Sequence, residues 1–359
     1  MNNLDTLYKE WQALQPVKEE MQRRLDQKFM LEFNYNSNHI EGNTLTYGQT
    51  ELLLLFGRVV GEAKMKDLEE MKAHNVCLKM MIEEAKEKDK PLTEYFIRIL
   101  HQTMLREDYT VYRQLPGGET TSYVVHAGCY KTRPNSVITP TGERFEYASP
   151  EETAALMTDL VSWYNQVASE GKLSPVELAA LFHYRYIRIH PFEDGNGRIA
   201  RLLMNYILAK YGYPMIVIRS KSKKAYLDAL HKVDQIVAPI PSEGAYATLE
   251  QAKDFVNYII KQVEITLAAN LDFLKEKNDA VWWFDGEFVN FKNETSIKIL
   301  NLMKTNSKIS IRALAQATGI SKSAIQKQVK QFQEKGYITK TTNNNTSGWA
   351  VLIKCVSPE

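Results

Sequence analysis

The chain of 359 residues is 44% hydrophobic and 25% charged, an ordinary globular composition whose length suggests two or three domains. Its 45 Lys and Arg nearly balance 43 Asp and Glu, so overall charge does not mark a nucleic-acid binder. Three scattered cysteines, Cys77, Cys129 and Cys355, exclude a disulfide framework or a Cys-rich zinc site and suit a reducing cytoplasm. No run approaches ~18 apolar residues, so neither a membrane span nor a membrane partner is expected, and the charged opening MNNLDTLYKEWQAL lacks the apolar stretch of a secretory signal.

The first half reads helical. In NSNHIEGNTLT (36–46), Ser37 and Glu41 stand at i and i+4 on one helical face, and Gly42 can end that helix. Residues 66–88 carry Met71, Leu78, Ile82 and Ala85 at helical spacing, and 92–106 continue in the same vein. Residues 110–149 change to Thr, Tyr, Val, Gly and Pro, which predicts short strands or a hairpin with a turn around Thr141-Gly142. From Pro150 to about residue 275 the pattern is helical again. Ser174-Pro175-Val176-Glu177 is a capping box with Pro at the first helical position. The helix it starts places Leu178, Leu181, Phe182 and Ile189 on one face and ends near His190-Pro191. His183 on this helix reads as a core residue. A further helix from near Arg198 buries Ile199, Leu202, Leu203, Tyr206 and Ile207, with Gly212 as its cap.

The segment joining these two helices, HPFEDGNGRIAR (190–201), carries the densest chemistry. Gly195-Asn196-Gly197 lets backbone amides converge as an anion nest, and the next helix adds its free first-turn amides and positive dipole end. Arg198 and Arg201 stand on one helical face, suited to phosphate oxygens. Asp194 offers a hard oxygen to Mg²⁺, and His190 is the nearby group that titrates around neutrality. An EF-hand is ruled out because Arg198 and Asn205 fall where the third and twelfth ligands belong, and GxxxxGK[ST] is absent.

This segment resembles the Fic family signature HxFx(D/E)GNGRxxR and matches it at His190, Phe192, Asp194, Gly195, Asn196, Gly197, Arg198 and Arg201. The resemblance extends from about residue 92 to 235. It implies a mainly α fold, a helical core with a β-hairpin flap, and transfer of AMP from ATP to a Ser, Thr or Tyr hydroxyl. Carried over, His190 is the base and Asp194 holds Mg²⁺. The run Gly195, Asn196, Gly197, Arg198, Ile199, Ala200 and Arg201 binds the nucleotide phosphates, Arg201 at the γ-phosphate, and Phe192 anchors the loop. Gly128–Ile138 resembles the flap, which would pair with an extended target segment, although Tyr112 to Gly128 is longer than the family's spacing. Tyr226 is a candidate adenine contact. Ser37-Asn38-His39-Ile40-Glu41-Gly42 resembles the family's inhibitory motif (S/T)xxxE(G/N) in its N-terminal arrangement, which implies that Glu41 pairs with Arg201 and displaces the γ-phosphate.

The tail differs in charge. Residues 295–359 hold nine Lys and one Arg against Glu334 and Glu359, while the rest is net acidic. Ile297, Leu300 and Met303 mark one helix, Ser310 caps a second, and Ser321 caps a third with Ile325, Val329 and Phe332 inward. Tyr337–Thr339 and Trp349–Ile353 read as two strands around a polar tip. This resembles a winged-helix module, with Lys322, Lys327 and Lys330 as candidate DNA contacts.

The expected domains are an N-terminal helical region 1–91 with the inhibitory motif, a catalytic core 92–275 and a winged helix 290–359. The leading expectation is an autoinhibited protein adenylyltransferase using ATP and Mg²⁺, acting on a target protein and on itself. The alternatives are a de-AMPylating hydrolase, in which Glu41 orients water, or a nucleotide-sensing DNA-binding regulator. A homodimer is a further expected partner.

Overall fold

The computed structural model describes residues 3–114, 119–138, 144–237, 241–275, 281–285, 287–289, 291, 294–343 and 346–356. The chain divides into two compact units, Met1–Lys275 and Glu276–Glu359. Among the described residues, no helix is long and apolar enough to cross a membrane.

The first unit runs α1 (Asn3–Ala13), α2 (Glu19–Ile40), α3 (Tyr47–Phe56), α4 (Met65–Lys86) and α5 (Glu94–Leu105), then strands β1 (Tyr109–Gln114), β2 (Thr120–Val125), β3 (Ser136–Ile138) and β4 (Arg144–Glu146). It continues through α6 (Pro150–Glu170), α7 (Pro175–Ile189), α8 (Asn196–Lys210), α9 (Lys223–Val237) and α10 (Lys253–Lys275). Helices α7 and α8 form its centre. Both are buried almost all round rather than on the single faces the spacing predicts, because α4 packs on α8 while α6 and α10 cover α7. Two arginines this buries on α7 are partnered. Arg185 donates to the Ala247 carbonyl at 2.8 and 2.9 Å, and Arg188 pairs with Asp234 at 3.0 Å.

The predicted start of α7 is as the sequence implies. Glu177 N–H donates to Ser174 Oγ at 3.3 Å, and Ser174 N–H returns to the Glu177 carboxylate at 2.9 Å. Helix α8 begins earlier than Arg198, at Asn196. Gly195 at φ +78 is its N-cap, a left-handed conformation that costs glycine nothing. Residues 110–149 form two antiparallel hairpins, β1–β2 (Tyr109↔Val125) and β3–β4 (Ser136↔Glu146). The turn expected at Thr141-Gly142 lies outside the described residues. Of the stretch expected as flap, only Ser136–Ile138 is strand.

The second unit contains β5 (Val281–Phe284), β6 (Glu287–Val289), α11 (Glu294–Thr305), α12 (Ile311–Thr318), α13 (Lys322–Glu334), β7 (Ile338–Asn343), β8 (Thr346–Val351) and β9 (Lys354–Val356). Ser310 and Ser321 cap α12 and α13, accepting from Ala313 and Ala324 N–H at 3.1 and 3.3 Å. Strands β7 and β8 pair as the wing. The sheet β6-β5-β9 lies outside the elements expected from the sequence, and its Trp282 is fully buried with Leu300, Leu314 and Phe332. The aromatic run Val281–Phe284 was its signal.

Candidate active site

The loop from His190 to Gly195 is held in place by its own neighbours. Asn196 accepts from Phe192 N–H at 2.9 Å and donates back to the Phe192 carbonyl at 2.7 Å. Phe192 is fully buried and stacks on His101 with ring centroids 3.7 Å apart. His101 donates from Nε2 to the Asp194 carbonyl at 3.0 Å, while its Nδ1 accepts from Gly128 N–H at 2.9 Å. Burial pushes this imidazole down to about 4, so it is neutral and its tautomer is set by the two bonds.

His190 ends α7 in the left-handed region, φ +51, an uncommon state for a residue other than glycine. The segment 131–135 braces it on both sides. Lys131 donates from Nζ to the Ile189 carbonyl at 2.9 Å and from its backbone N–H to Pro191 at 2.8 Å. Asn135 donates to the carbonyls of His190 and Phe192 at 3.3 and 2.9 Å. Burial, and then the Lys131 ammonium, push the His190 imidazole down to about 3, which leaves it neutral near pH 7.

Asp194 Oδ2 accepts from the Tyr109 hydroxyl and Oδ1 from Gly195 N–H, each at 2.6 Å, and Arg198 stands 3.6 Å away. Burial raises this carboxyl, but Arg198, Tyr109 and the Gly195 amide outweigh it and hold Asp194 below the usual carboxylate range. Arg198 is buried and also faces Glu70 at 3.8 Å.

Arg201 is 1% exposed and turned toward α2. It donates to Ser37 Oγ at 3.0 Å, to the Ser37 carbonyl at 2.9 Å and to Glu41 Oε1 at 2.6 Å. Glu41 caps the C-terminus of α2, and Gly42 follows at φ +98. The Glu41 carboxylate lies directly on the first turn of α8: a Cβ added at Gly197 would run into Oε1 and lie 3.1 Å from Arg201 Nη1. Ile199 and Ala200 are fully buried, so they can offer only backbone groups.

Tyr226, the candidate adenine contact, is a core residue here. It is 2% exposed, its hydroxyl lies 3.0 Å from His183 Nε2, and both rings pack near Phe255. His183 is fully buried. Lys322, Lys327 and Lys330 are exposed on α13, whose Ile325, Val329 and Phe332 are buried. The structure thus brings together His190, Asp194, Arg198, Arg201, Ser37 and Glu41. It adds His101, Tyr109, Lys131 and Asn135, which carried no sequence signal because each acts through a partner far along the chain.

A helical body, a glycine-bent loop feeding an amide-rich helix start, and small hairpins beside it define a Fic-type fold, joined to a winged helix. A Fic/DOC family model matches residues 91–208, and a winged helix-turn-helix DNA-binding model matches 292–339. The crystal structure of a Fic domain containing signaling protein from Bacteroides thetaiotaomicron VPI-5482 is 56% identical, with TM-score 0.72 over 77% of this chain and 98% of that one. A Fic-1 fragment from C. elegans is 25% identical, with TM-score 0.58 over 76% and 72%. The protein adenylyltransferase fic-1 of Caenorhabditis briggsae is 27% identical over 274 residues, 76% of this chain, which spans only 47% of that relative. The chain belongs to the Fic/DOC family.

Proposed function

We propose that the chain is a protein adenylyltransferase that moves AMP from ATP to a Ser, Thr or Tyr hydroxyl of a target protein or of itself, and that Glu41 holds it off. The hydroxyl oxygen attacks Pα, the Pα–O bond to the β-phosphate breaks, pyrophosphate leaves, and the hydroxyl proton passes to neutral His190. The first amides of α8, with Arg198 and Arg201, hold phosphate oxygens and offset the charge that develops on the leaving group. Asp194 fits Mg²⁺. It is an ionised hard donor beside the phosphate cradle. Mg²⁺ suits such a site because one or two carboxylates plus substrate phosphates complete its shell, and when bound it neutralises phosphate charge.

The observation that carries this reading is the position of Glu41. A carboxylate bonded to Arg201 and lying over Gly197 occupies the place of an anion at the start of α8. An ATP phosphate and Glu41 therefore compete for one cation and one nest. Incubation with labelled ATP and Mg²⁺ tests it. Glu41→Gly is expected to self-label more than wild type, and adding Arg201→Ala is expected to remove the gain. Less labelling in a folded Glu41→Gly chain would instead make Glu41 catalytic, as de-AMPylation requires.

For the second unit we propose DNA binding through α13, supported by the family model and by the exposed lysines on its outer face. A cytoplasmic setting, which we propose as well, accords with the free thiols of Cys77 and Cys129.

A further inference from the structure

Tyr147 lies flat on His190. The ring centroids are 3.8 Å apart and the planes differ by 15°. Among the described residues, this is the aromatic ring stacked on the imidazole. Its Nδ1 makes no hydrogen bond of ordinary geometry, although the Ile187 carbonyl lies near it. The last side-chain torsion of histidine is intrinsically broad and two-fold, so without a partner the ring plane is poorly set.

The stacked ring is itself fixed from both directions. After it, Ala148 N–H donates to the Arg188 carbonyl at 3.3 Å, and Ser149 closes a capping box that starts α6. Before it, Phe145 of β4 meets Tyr147 edge-on at 5.2 Å and 75°. Phe145 lies 5.0 Å under the Arg188 guanidinium, which Asp234 holds at 3.0 Å. Arg188 precedes His190 on the last turn of α7. One residue therefore anchors both the segment that carries the tyrosine and the helix that carries the histidine. Ring-on-ring contact at this distance excludes the other settings of a broad torsional well, because a tilted imidazole would run into the tyrosine face.

We propose that Tyr147 is a positioning residue for His190, setting the plane of the imidazole so that one edge, rather than a face, meets the incoming hydroxyl. The tyrosine hydroxyl has no part in this, so the stacked ring alone is required. The proposal rests on His190 being the base of the AMP transfer described above.

The test uses the full chain carrying Glu41→Gly, with Tyr147→Ala, Tyr147→Leu and Tyr147→Phe each added. Leucine keeps apolar cover over the site without an aromatic plane, and so separates stacking from loss of packing. Ala and Leu are expected to lower kcat roughly 10- to 100-fold with the KM for ATP unchanged, the signature of a misaligned reacting group. Phe is expected to restore kcat. Independently of activity, the His190 ring-proton resonances should show the upfield ring-current displacement of a stacked partner in the parent and in Tyr147→Phe, and lose it in Tyr147→Leu. A Leu variant with parental kcat, or His190 resonances unmoved by loss of the ring, overturns the proposal alone. A Glu41→Gly parent that transfers no AMP overturns the transferase reading and takes this proposal with it.

Discussion

At the scale of single residues, the site separates roles that neighbouring side chains could share. His190 touches none of the phosphate-binding groups through a hydrogen bond among the described contacts, whereas Arg201 is committed to Ser37 and Glu41. Loss of the imidazole should therefore leave nucleotide affinity nearly intact while removing chemistry. In a Glu41→Gly background, His190→Ala is expected to lower AMP transfer by about 10²–10⁴-fold, the usual cost of losing a positioned base. Calorimetric titration with ATP should give nearly the parental affinity. Undiminished transfer would remove His190 from the mechanism.

At the scale of elements, the way α2 is attached bears on how it acts. Its C-terminal half buries polar side chains beside the apolar Leu31, Phe33 and Ile40. Asn34 donates to Asn75 at 3.0 Å and faces His74 Nδ1 at 2.7 Å, and Asn36 accepts from Ser220 N–H at 2.9 Å. Lys223 donates to the Ile40 carbonyl at 2.6 Å, where it also complements the negative end of the helix dipole. Under the proposed release of α2, groups of this kind would be rehydrated, so lifting the helix would cost less than exposing an equal apolar area. Asn36→Ala deprives the Ser220 amide of its acceptor, a loss of about 1–3 kcal/mol that falls on the docked state. Self-labelling is expected to rise above wild type but to stay below Glu41→Gly. No rise would mean that the Asn36–Ser220 contact does not hold α2 in place.

At the scale of the whole molecule, two properties follow from charge and burial. His101 and His183 are fully buried, and burial pushes them down to about 4 and about 3. Their folded values lie below the unfolded one of about 6.5, so the unfolded chain binds more protons between these limits. The stability they contribute is present above about pH 6.5 and is lost as pH falls toward 4, at up to about 1.4 kcal/mol per pH unit for each. The urea midpoint is expected to drop between pH 7 and pH 5, and His183→Gln should shrink that drop; an unchanged midpoint would contradict the buried neutral state. For the second unit, DNA affinity should fall steeply with salt as condensed counterions are released. Replacing Lys322, Lys327 and Lys330 by Ala should flatten the slope of log K against log salt by up to about 2.7. Absence of salt-dependent binding at low ionic strength would point to a protein-contact module instead.

What the sequence determined alone is whatever depends on short spacing. The capping box at Ser174, the helix faces around it, the caps at Ser310 and Ser321, and the run from His190 to Arg201 all act within a few residues, so their geometry follows from the helical repeat and from glycine's freedom. The sheet β6-β5-β9 escaped because its strands are short and one of them comes from the far end of the chain. Tertiary structure alone decided where the long-range partners fall. It put the Tyr109 hydroxyl on Asp194, clamped Lys131 and Asn135 around His190, laid Tyr147 on the imidazole, and sealed Tyr226 against His183. It also pointed Glu41 at Arg201 and Gly197, a contact that the motif in 37–42 implied but could not orient. Such contacts depend on the packing of α2, α4, α7 and α8 around one core, and side-chain direction in a close-packed interior is set by neighbours that no local repeat encodes.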